Sequence, residues 1–229
     1  MGNLKERIIL NFIAKERWRY IWDGLGVTLQ VTFFSVLMGI ALGFLIAMVR
    51  STHDKTGKLK VLNFLCQVYL TVIRGTPVVV QLLIIYFVIF GSMDINKVLV
   101  AVLAFGINSA AYVAEIFRSG IMSIDNGQFE AGRSLGFNYL QTMRHIIIPQ
   151  MFKAVLPTLC NEFIALLKET SVAGYVGVID LTKAGNVIAG RTFSYYLPLL
   201  TVAAVYLVMV ILLSWLVGRL ERRLRKSER

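Results

Sequence analysis

The sequence predicts an all-α membrane protein with about five transmembrane helices. Hydrophobic residues make up 57% of its 229 positions, only 16% are charged, and the mean hydropathy is +0.69. A soluble domain of this size needs more polar surface, so the expected solvent is the bilayer. The formal net charge of +11 does not indicate nucleic-acid binding, because the basic residues fall mostly at the ends of apolar runs, where they set membrane orientation.

A helix needs about 20 apolar residues to cross the hydrocarbon core of a membrane. Four segments of the chain reach that length: 24–49, 98–117, 146–167 and 198–217. Residues 59–90 form two shorter apolar halves on either side of Arg74, and together they make one long, broken span. Five spans place the two chain ends on opposite sides. A less favoured alternative has six spans with a re-entrant turn at Arg74.

Lys and Arg are concentrated in the connecting segments that share a side with the C-terminus, which predicts a cytoplasmic C-terminus and an N-terminus outside. Residues 1–23 mix charged and apolar residues and are predicted to form an amphipathic interfacial helix. Residues 24–218 form the transmembrane domain, with a cytoplasmic loop at 119–145, and residues 219–229 form a basic cytoplasmic tail. The external segment 171–194 is either a plain connector or a dipping loop that helps to close an external gate.

The cytoplasmic loop contains a short predicted helix over residues 128–135. A turn at Asp125, Asn126 and Gly127 precedes it, and Gly136 is a candidate C-cap. Because this helix is held between two spans, a push on it would move the spans on both sides.

The same loop carries a spaced motif: Glu130-Ala131-Gly132, then Gly136, Ile146, Ile148 and Pro149. It resembles the EAA loop of ABC-importer permease subunits, E-A-A-x3-G-x9-I-x-L-P, and departs from it at Gly132 (for alanine) and Ile148 (for leucine). The resemblance implies a type I ABC importer permease fold whose loop helix docks on a separate ATPase subunit. The coupling residues that it implies are Gln128, Glu130, Ala131, Gly132, Leu135, Gly136 and Pro149.

No Walker A pattern occurs in the sequence, so nothing in the chain is expected to cradle a triphosphate. The resemblance implies that ATP and Mg²⁺ are bound by the partner ATPase. We therefore expect no cofactor, no metal site and no catalytic residue in this chain, which would be a transporter subunit rather than an enzyme.

The broken span is interrupted by Arg74-Gly75-Thr76-Pro77. A charge at the centre of a span costs about 2.5–3.5 kcal/mol even on insertion scales. Gly75 permits an irregular backbone, and Pro77 suits the first turn of a new half-helix. A guanidinium beside the positive end of a half-helix dipole is a site suited to a carboxylate.

This tetrapeptide and Gln81 resemble the polar amino-acid branch of the ABC permeases. Four other stretches do so too: Ser109-Ala110-Ala111-Tyr112, Glu115-Ile116 with Arg118, Gly127-Gln128, and Lys168-Glu169-Thr170-Ser171. The resemblance runs over about residues 24–217. It implies an ATP-binding cassette ATPase, a second permease subunit (identical or homologous), an extracytoplasmic binding protein that delivers an amino acid, and a place in the bacterial cytoplasmic membrane.

Asn161 and Glu162 are polar residues near the middle of the fourth span. Either Arg74 takes the substrate carboxylate while Asn161 or Glu162 takes its amino group or side chain, or Arg74 and Glu162 form a structural ion pair. Thr76 and Ser109 are weaker candidates, because small hydroxyl residues in spans often serve helix packing. The predicted substrate-binding residues are Arg74, Gly75, Thr76, Ser109, Asn161 and Glu162.

Other functions remain open from the residues alone. An ion-gradient-driven secondary transporter or channel subunit would use Arg74 and Glu162 as relay charges. A membrane enzyme is the weakest alternative, since His53 and His145 are isolated and lie in loops. An unpaired Glu162 favours a cationic substrate such as arginine or lysine, whereas pairing with Arg74 leaves glutamine, histidine or cystine equally reasonable. We expect Glu115 to pair with Arg118, three residues on.

Overall fold

A computed structural model describes residues 3–226, and the described chain is a bundle of helices. The α-helices are α1 (Leu4–Ile8), α2 (Trp18–Thr56), α3 (Lys60–Gly75), α4 (Val78–Leu83), α5 (Lys97–Met122), α6 (Asn126–Ser134), α7 (Tyr139–Thr142), α8 (Ile148–Glu169), α9 (Leu181–Thr192) and α10 (Tyr196–Lys226). π-Helical segments extend three of them: Ile9–Ile13 follows α1, Ile84–Ile89 follows α4, and Met143–Ile147 joins α7 to α8.

Helices α2, α5 and α10 are each long and apolar enough to cross a membrane. Helix α3 passes the same test as a bent pair with α4 and its π-helical extension, Val78–Ile89, at an angle of 108°. Helix α8 has 22 residues, so it is about 33 Å long, but it carries the polar pair Asn161 and Glu162. By length and composition, the described residues therefore contain three candidate spans, or four if the bent pair counts as one. Helix α8 occupies the position of the remaining predicted span, and the number of five spans stays a prediction.

Helix α5 lies at the centre of the bundle, between α2 and α8. Glycines allow the close approach of α2: a Cβ on Gly39 would lie 2.8 Å from Ser109 Oγ, and one on Gly43 would lie 2.8 Å from Val113. On the α8 side, a Cβ on Gly120 would lie 2.1 Å from the Val155 side chain. Small residues at helix crossings are the usual device for close packing in membranes.

Residues 1–23 are not one helix, so the prediction of a single amphipathic helix there is wrong. The backbone turns at Lys15 and Glu16, which have φ values of 55° and 52°, and α2 begins at Trp18. The buried Asn11 fixes the segment to the end of α9 by accepting a hydrogen bond from the Thr192 hydroxyl at 2.8 Å. Its location at the membrane interface stays a prediction, and residues 1 and 2 lie outside the described part of the chain.

The segment 171–194 is ordered and largely helical. After a 3₁₀ segment, Thr170–Val176, it forms α9, which packs against both α2 and α10. Asp180 caps α9 by accepting hydrogen bonds from backbone N–H groups, among them that of Thr182 at 3.0 Å. Burial raises the pKa of Asp180. Because α9 is packed into the bundle, the segment is more than a plain connector.

The basic C-terminal segment is continuous with the last span. Helix α10 runs through Lys226, so residues 219–226 extend a membrane helix and do not form a separate tail. Residues 227–229 of the predicted tail lie outside the described residues.

Candidate functional site

The predicted loop helix is present as α6, which begins at Asn126, two residues earlier than expected. Asp125 is its N-cap and accepts a hydrogen bond from the Gly127 N–H at 2.6 Å. Gly136 ends the helix with φ of +80°, and the next N–H, that of Phe137, donates to Gly132 O at 3.0 Å. The prediction of a glycine cap at Gly136 is confirmed. We refer to residues 125–142, which comprise α6, this turn and α7, as the coupling segment.

Two spans hold the coupling segment. From the end of α2, Lys55 Nζ donates to Asn126 Oδ1 at 2.9 Å and lies 4.6 Å from the centre of the Phe129 ring. From the first turn of α8, Gln150 Nε2 donates to Gln128 Oε1 at 3.2 Å. Side-chain hydrogen bonds therefore connect α6 to both α2 and α8.

Gly132 departs from the family motif for a structural reason. It is the buried residue of α6, and a Cβ at this position would lie 2.7 Å from the Thr142 side chain. Thr142 is itself buried and donates a hydrogen bond to Asn138 O at 3.0 Å. In this chain the threonine on α7 fills the space that an alanine methyl would need.

The outer surface of the coupling segment is exposed and partly apolar. Leu135 is 71% exposed and Leu140 is 69% exposed. The other predicted coupling residues that are exposed in the isolated chain are Gln128, Glu130, Ala131, Gly136 and Pro149, the last in the first turn of α8. Leu135 and Leu140 thus give this segment apolar surface that a partner protein could cover.

The break between α3 and α4 comprises Thr76 and Pro77, which have extended backbone conformations. Gly75 is the last residue of α3 and has no positive φ, so a special glycine conformation is not what makes the break. Pro77 is the N-cap of α4 rather than a residue of its first turn. The side chain of Thr76 bonds internally, donating to Val72 O at 2.8 Å.

Buried amides complete the hydrogen bonding of the break. Gln81 Nε2 lies 2.7 Å from Ile73 O, 3.0 Å from Thr76 O and 2.8 Å from Thr76 Oγ1. Gln81 Oε1 accepts a hydrogen bond from Asn108 Nδ2 of α5 at 2.9 Å. These two side chains satisfy polar groups that the interrupted helix leaves without intrahelical partners.

Arg74 lies beside Glu115 of α5, with 3.9 Å between Arg74 Nη1 and Glu115 Oε1. The same carboxylate accepts a hydrogen bond from Arg50 of α2 at 2.5 Å and has Arg118 at 4.0 Å. Arg118 is closer to Asp54, at 3.1 Å. The expected Glu115–Arg118 contact is thus the longest of three. We refer to Arg50, Arg74, Arg118, Glu115 and Asp54 as the arginine cluster.

Glu162 accepts a hydrogen bond from the buried Ser109 hydroxyl at 3.1 Å, between α8 and α5. Its neighbour Asn161 is exposed. The six predicted substrate residues therefore fall into two groups, one at the break and one at Ser109, Asn161 and Glu162. The alternative of an Arg74–Glu162 ion pair is not realised, because the carboxylate that lies beside Arg74 is that of Glu115.

Sequence reasoning missed the partners that hold both sites in place. Asn108 is a polar residue inside the apolar run 98–117, and that position alone could have marked it as a hydrogen-bonding residue. For Lys55 and Thr142 the sequence offers no comparable signal, since the contact that each makes depends on how two helices pack against each other.

Comparisons with known proteins agree on one family. Residues 39–226 match the family described as binding-protein-dependent transport system inner membrane component. The chain is 35% identical over 214 residues to the glutamine transport system permease protein of Escherichia coli, covering 91% of this chain and 97% of that protein. It is 34% identical over 211 residues to the arginine transport system permease protein of Bacillus subtilis, covering 91% and 94%.

Solved structures agree with the sequence relatives. A chain from the crystal structure of an amino acid ABC transporter with histidines has a TM-score of 0.83 and 41% identity, covering 93% of this chain and 98% of that one. A chain of the inward-facing MetNI methionine ABC transporter has a TM-score of 0.76 at 20% identity, covering 90% and 96%. The second likeness shows the fold alone. The bundle is a type I ABC importer permease fold.

Proposed function

The chain belongs to the family of binding-protein-dependent transport system inner membrane components, and from that premise we propose that it is the permease subunit of an importer for polar amino acids. The family makes it a multi-pass membrane protein and a transporter component, and it implies a partner ATPase and a substrate-binding protein. We place it in the bacterial cytoplasmic membrane, where a second permease subunit, identical or homologous, completes the pathway. ATP and Mg²⁺ belong to the ATPase.

The coupling segment is the observation that carries the proposal. It presents Leu135 and Leu140 on an exposed surface, and Lys55 and Gln150 connect it to two spans. When the ATPases close on ATP, a push on α6 moves α2 and α8, and the pathway opens outward to accept substrate from the binding protein. Hydrolysis of ATP returns the bundle to its inward-facing form.

We assign the substrate carboxylate to Arg74, with Gly75 and Thr76 beside it. The side chain of Arg74 is 46% exposed in the isolated chain, and Asn161 of the other group is exposed as well. The carboxylate of Glu162 is free of Arg74, which supports a role in binding the substrate's amino group or a cationic side chain. We place the substrate between two permease subunits, because Arg74 and Asn161 are both exposed in the isolated chain.

Reconstitution of the permease, ATPase and binding protein in liposomes tests this proposal. We expect ATP-dependent uptake of radiolabelled arginine or glutamine, the amino acids named for two relatives, and no uptake when the ATPase is omitted. Uptake by the permease alone, driven by an ion gradient, would instead establish the secondary-transporter alternative. Failure to import any polar amino acid in the complete system contradicts the proposed substrate class.

The coupling role is tested separately with Leu135→Asp and the matched variant Leu59→Asp, since Leu59 is an exposed leucine that precedes α3 and lies outside the coupling segment. We expect Leu135→Asp to abolish the stimulation of ATPase activity by the loaded binding protein, because a charge on the docking surface prevents the ATPase from seating. Assembly of Leu135→Asp with normal stimulation would remove α6 from the coupling role.

The role of Glu162 is tested with Glu162→Gln in an uptake panel of arginine, lysine, glutamine and histidine. We expect the loss to be confined to the cationic amino acids, because the amide keeps the hydrogen-bonding shape and removes the charge. An unchanged profile would show that Glu162 does not select the substrate.

A further inference from the structure

Three guanidinium groups from three helices surround the carboxylate of Glu115. Arg50 of α2 and Arg74 of α3 approach the same oxygen, Oε1, at 2.5 Å and 3.9 Å, and Arg118 of α5 approaches Oε2 at 4.0 Å. Asp54 adds a second carboxylate, 3.1 Å from Arg118. With three cations and two anions, the arginine cluster keeps an excess of one positive charge.

Arg74 is the most weakly held cation of the cluster. Its side chain is 46% exposed, against 14% for Arg50, and its distance to Glu115 exceeds hydrogen-bond length. Within residues 3–226 the structure shows no hydrogen bond from its guanidinium, which otherwise lies over the Tyr112 ring with 5.8 Å to the ring centre. A guanidinium carries five N–H donors in a planar fork, so Arg74 is free to bind a carboxylate in bidentate fashion.

We propose that Glu115 competes with the substrate carboxylate for the guanidinium of Arg74. This inference rests on the proposed function, in which Arg74 receives the carboxylate of an amino acid. The short contact with Arg50 fixes Glu115 to α2, so Glu115 stays in place when Arg74 turns to the substrate. The competition keeps binding weak, as a transport pathway requires, because a substrate that is held too tightly is not released.

The test uses the permease assembled with its ATPase, without the binding protein, and measures the Kd of whichever radiolabelled amino acid, arginine or glutamine, the wild-type complex imports. Glu115→Gln removes the competing charge and keeps the shape of the side chain. We expect the Kd to fall about fivefold, within the usual range of coupling between contacting residues. Glu115→Asp, which keeps the charge, is expected to stay close to wild type.

Two further variants separate this role from a structural one. In an Arg74→Ala background, Glu115→Gln should have no further effect on the Kd, because the residue through which it acts is gone. Asp54→Asn removes the same charge from the same cluster but contacts Arg118 and His53, not Arg74. We expect it to leave the Kd unchanged.

Three results would overturn the inference: an unchanged or raised Kd in Glu115→Gln, an equal effect in the Arg74→Ala background, or an equal effect of Asp54→Asn. If Glu115→Gln fails to assemble, Glu115→Asp decides in its place: because it keeps the charge, its Kd is expected to stay close to wild type, and a change as large as the fivefold effect expected of Glu115→Gln would overturn the inference. Wild-type import together with any of these results refutes only the role of Glu115. A wild-type complex that imports no amino acid refutes the proposed function and this inference together.

Discussion

The coupling segment and the α3–α4 break both interrupt the helical bundle, but they use their polar groups in opposite ways. In the coupling segment, Glu130 and other polar side chains are exposed, so a partner can reach them. At the break, Gln81 and Asn108 are buried and their amides are bonded within the chain. A docking surface can be built on a complete helix, whereas a broken span first has to replace its missing backbone hydrogen bonds. Once these hydrogen bonds are made, Arg74 is the charged residue of the break that stays exposed to a ligand.

The largest loss of stability should come from removing the amide of Gln81 at the α3–α4 break. Gln81→Met leaves Ile73 O, Thr76 O and the Asn108 amide without their buried partner, and we expect a loss of about 3 kcal/mol in stability. Thermal unfolding in detergent measures it. The matched variant is Gln128→Met in the coupling segment, where the amide is exposed, and we expect about 0.5 kcal/mol or less. Equal losses would show that the two regions do not differ in this way.

The next effect concerns the contact between α6 and α7. Gly132→Ala restores the alanine of the family motif but places a Cβ 2.7 Å from Thr142, and we expect overpacking to cost about 2 kcal/mol. The stimulated ATPase activity of the assembled transporter should fall as α6 is displaced. Adding Thr142→Ala removes the obstructing atoms and should restore the activity. If the double variant is no better than the single one, Thr142 does not explain the glycine.

Replacing glycine by alanine should change stability differently at Gly136, in the coupling segment, and at Gly75, beside the α3–α4 break. Gly136→Ala places a side chain at φ of +80°, which costs about 1 kcal/mol. Gly75→Ala, at the end of α3, meets no atom within 4 Å and has no positive φ, so we expect stability equal to wild type or slightly above it. Thermal unfolding of the two variants side by side measures the difference. A larger loss for Gly75→Ala would mean that the break needs a glycine after all.

The smallest effect should come from the link between α2 and the coupling segment. Lys55→Met removes the hydrogen bond to Asn126 and the cation over Phe129, which are exposed interactions worth about 0.5 kcal/mol. Because we propose that this link transmits motion, we expect the rate of coupled transport to fall while the free energy of unfolding changes little. Lys58→Met, at an exposed position beyond the end of α2, is the control. An equal change in both variants would attribute the effect to lost positive charge.

Much of the fold and of the coupling segment could be predicted from the sequence because the signals are local. An apolar run of span length predicts a membrane helix, and Gly136 predicts the end of a helix. Neither prediction needs information about residues that are distant along the chain. Contacts between helices were not predictable in the same way. Glu115 was expected to pair with Arg118 on its own helix, yet its shortest contact is with Arg50 on α2, a contact that depends on how the two helices are aligned. The turn at Lys15 was missed as well, since neither it nor Glu16 is a residue type that favours positive φ.

The sequence by itself determined that this chain spans a membrane, that a short capped helix lies between two spans, and that a charged residue interrupts another span. Each follows from hydrophobic length or from the backbone preferences of single residues. Only the tertiary structure decided that Gln81 and Asn108 close the break, that Thr142 requires Gly132, and that Arg74 faces Glu115 and not Glu162. Those outcomes depend on the relative alignment of packed helices, which no local pattern encodes.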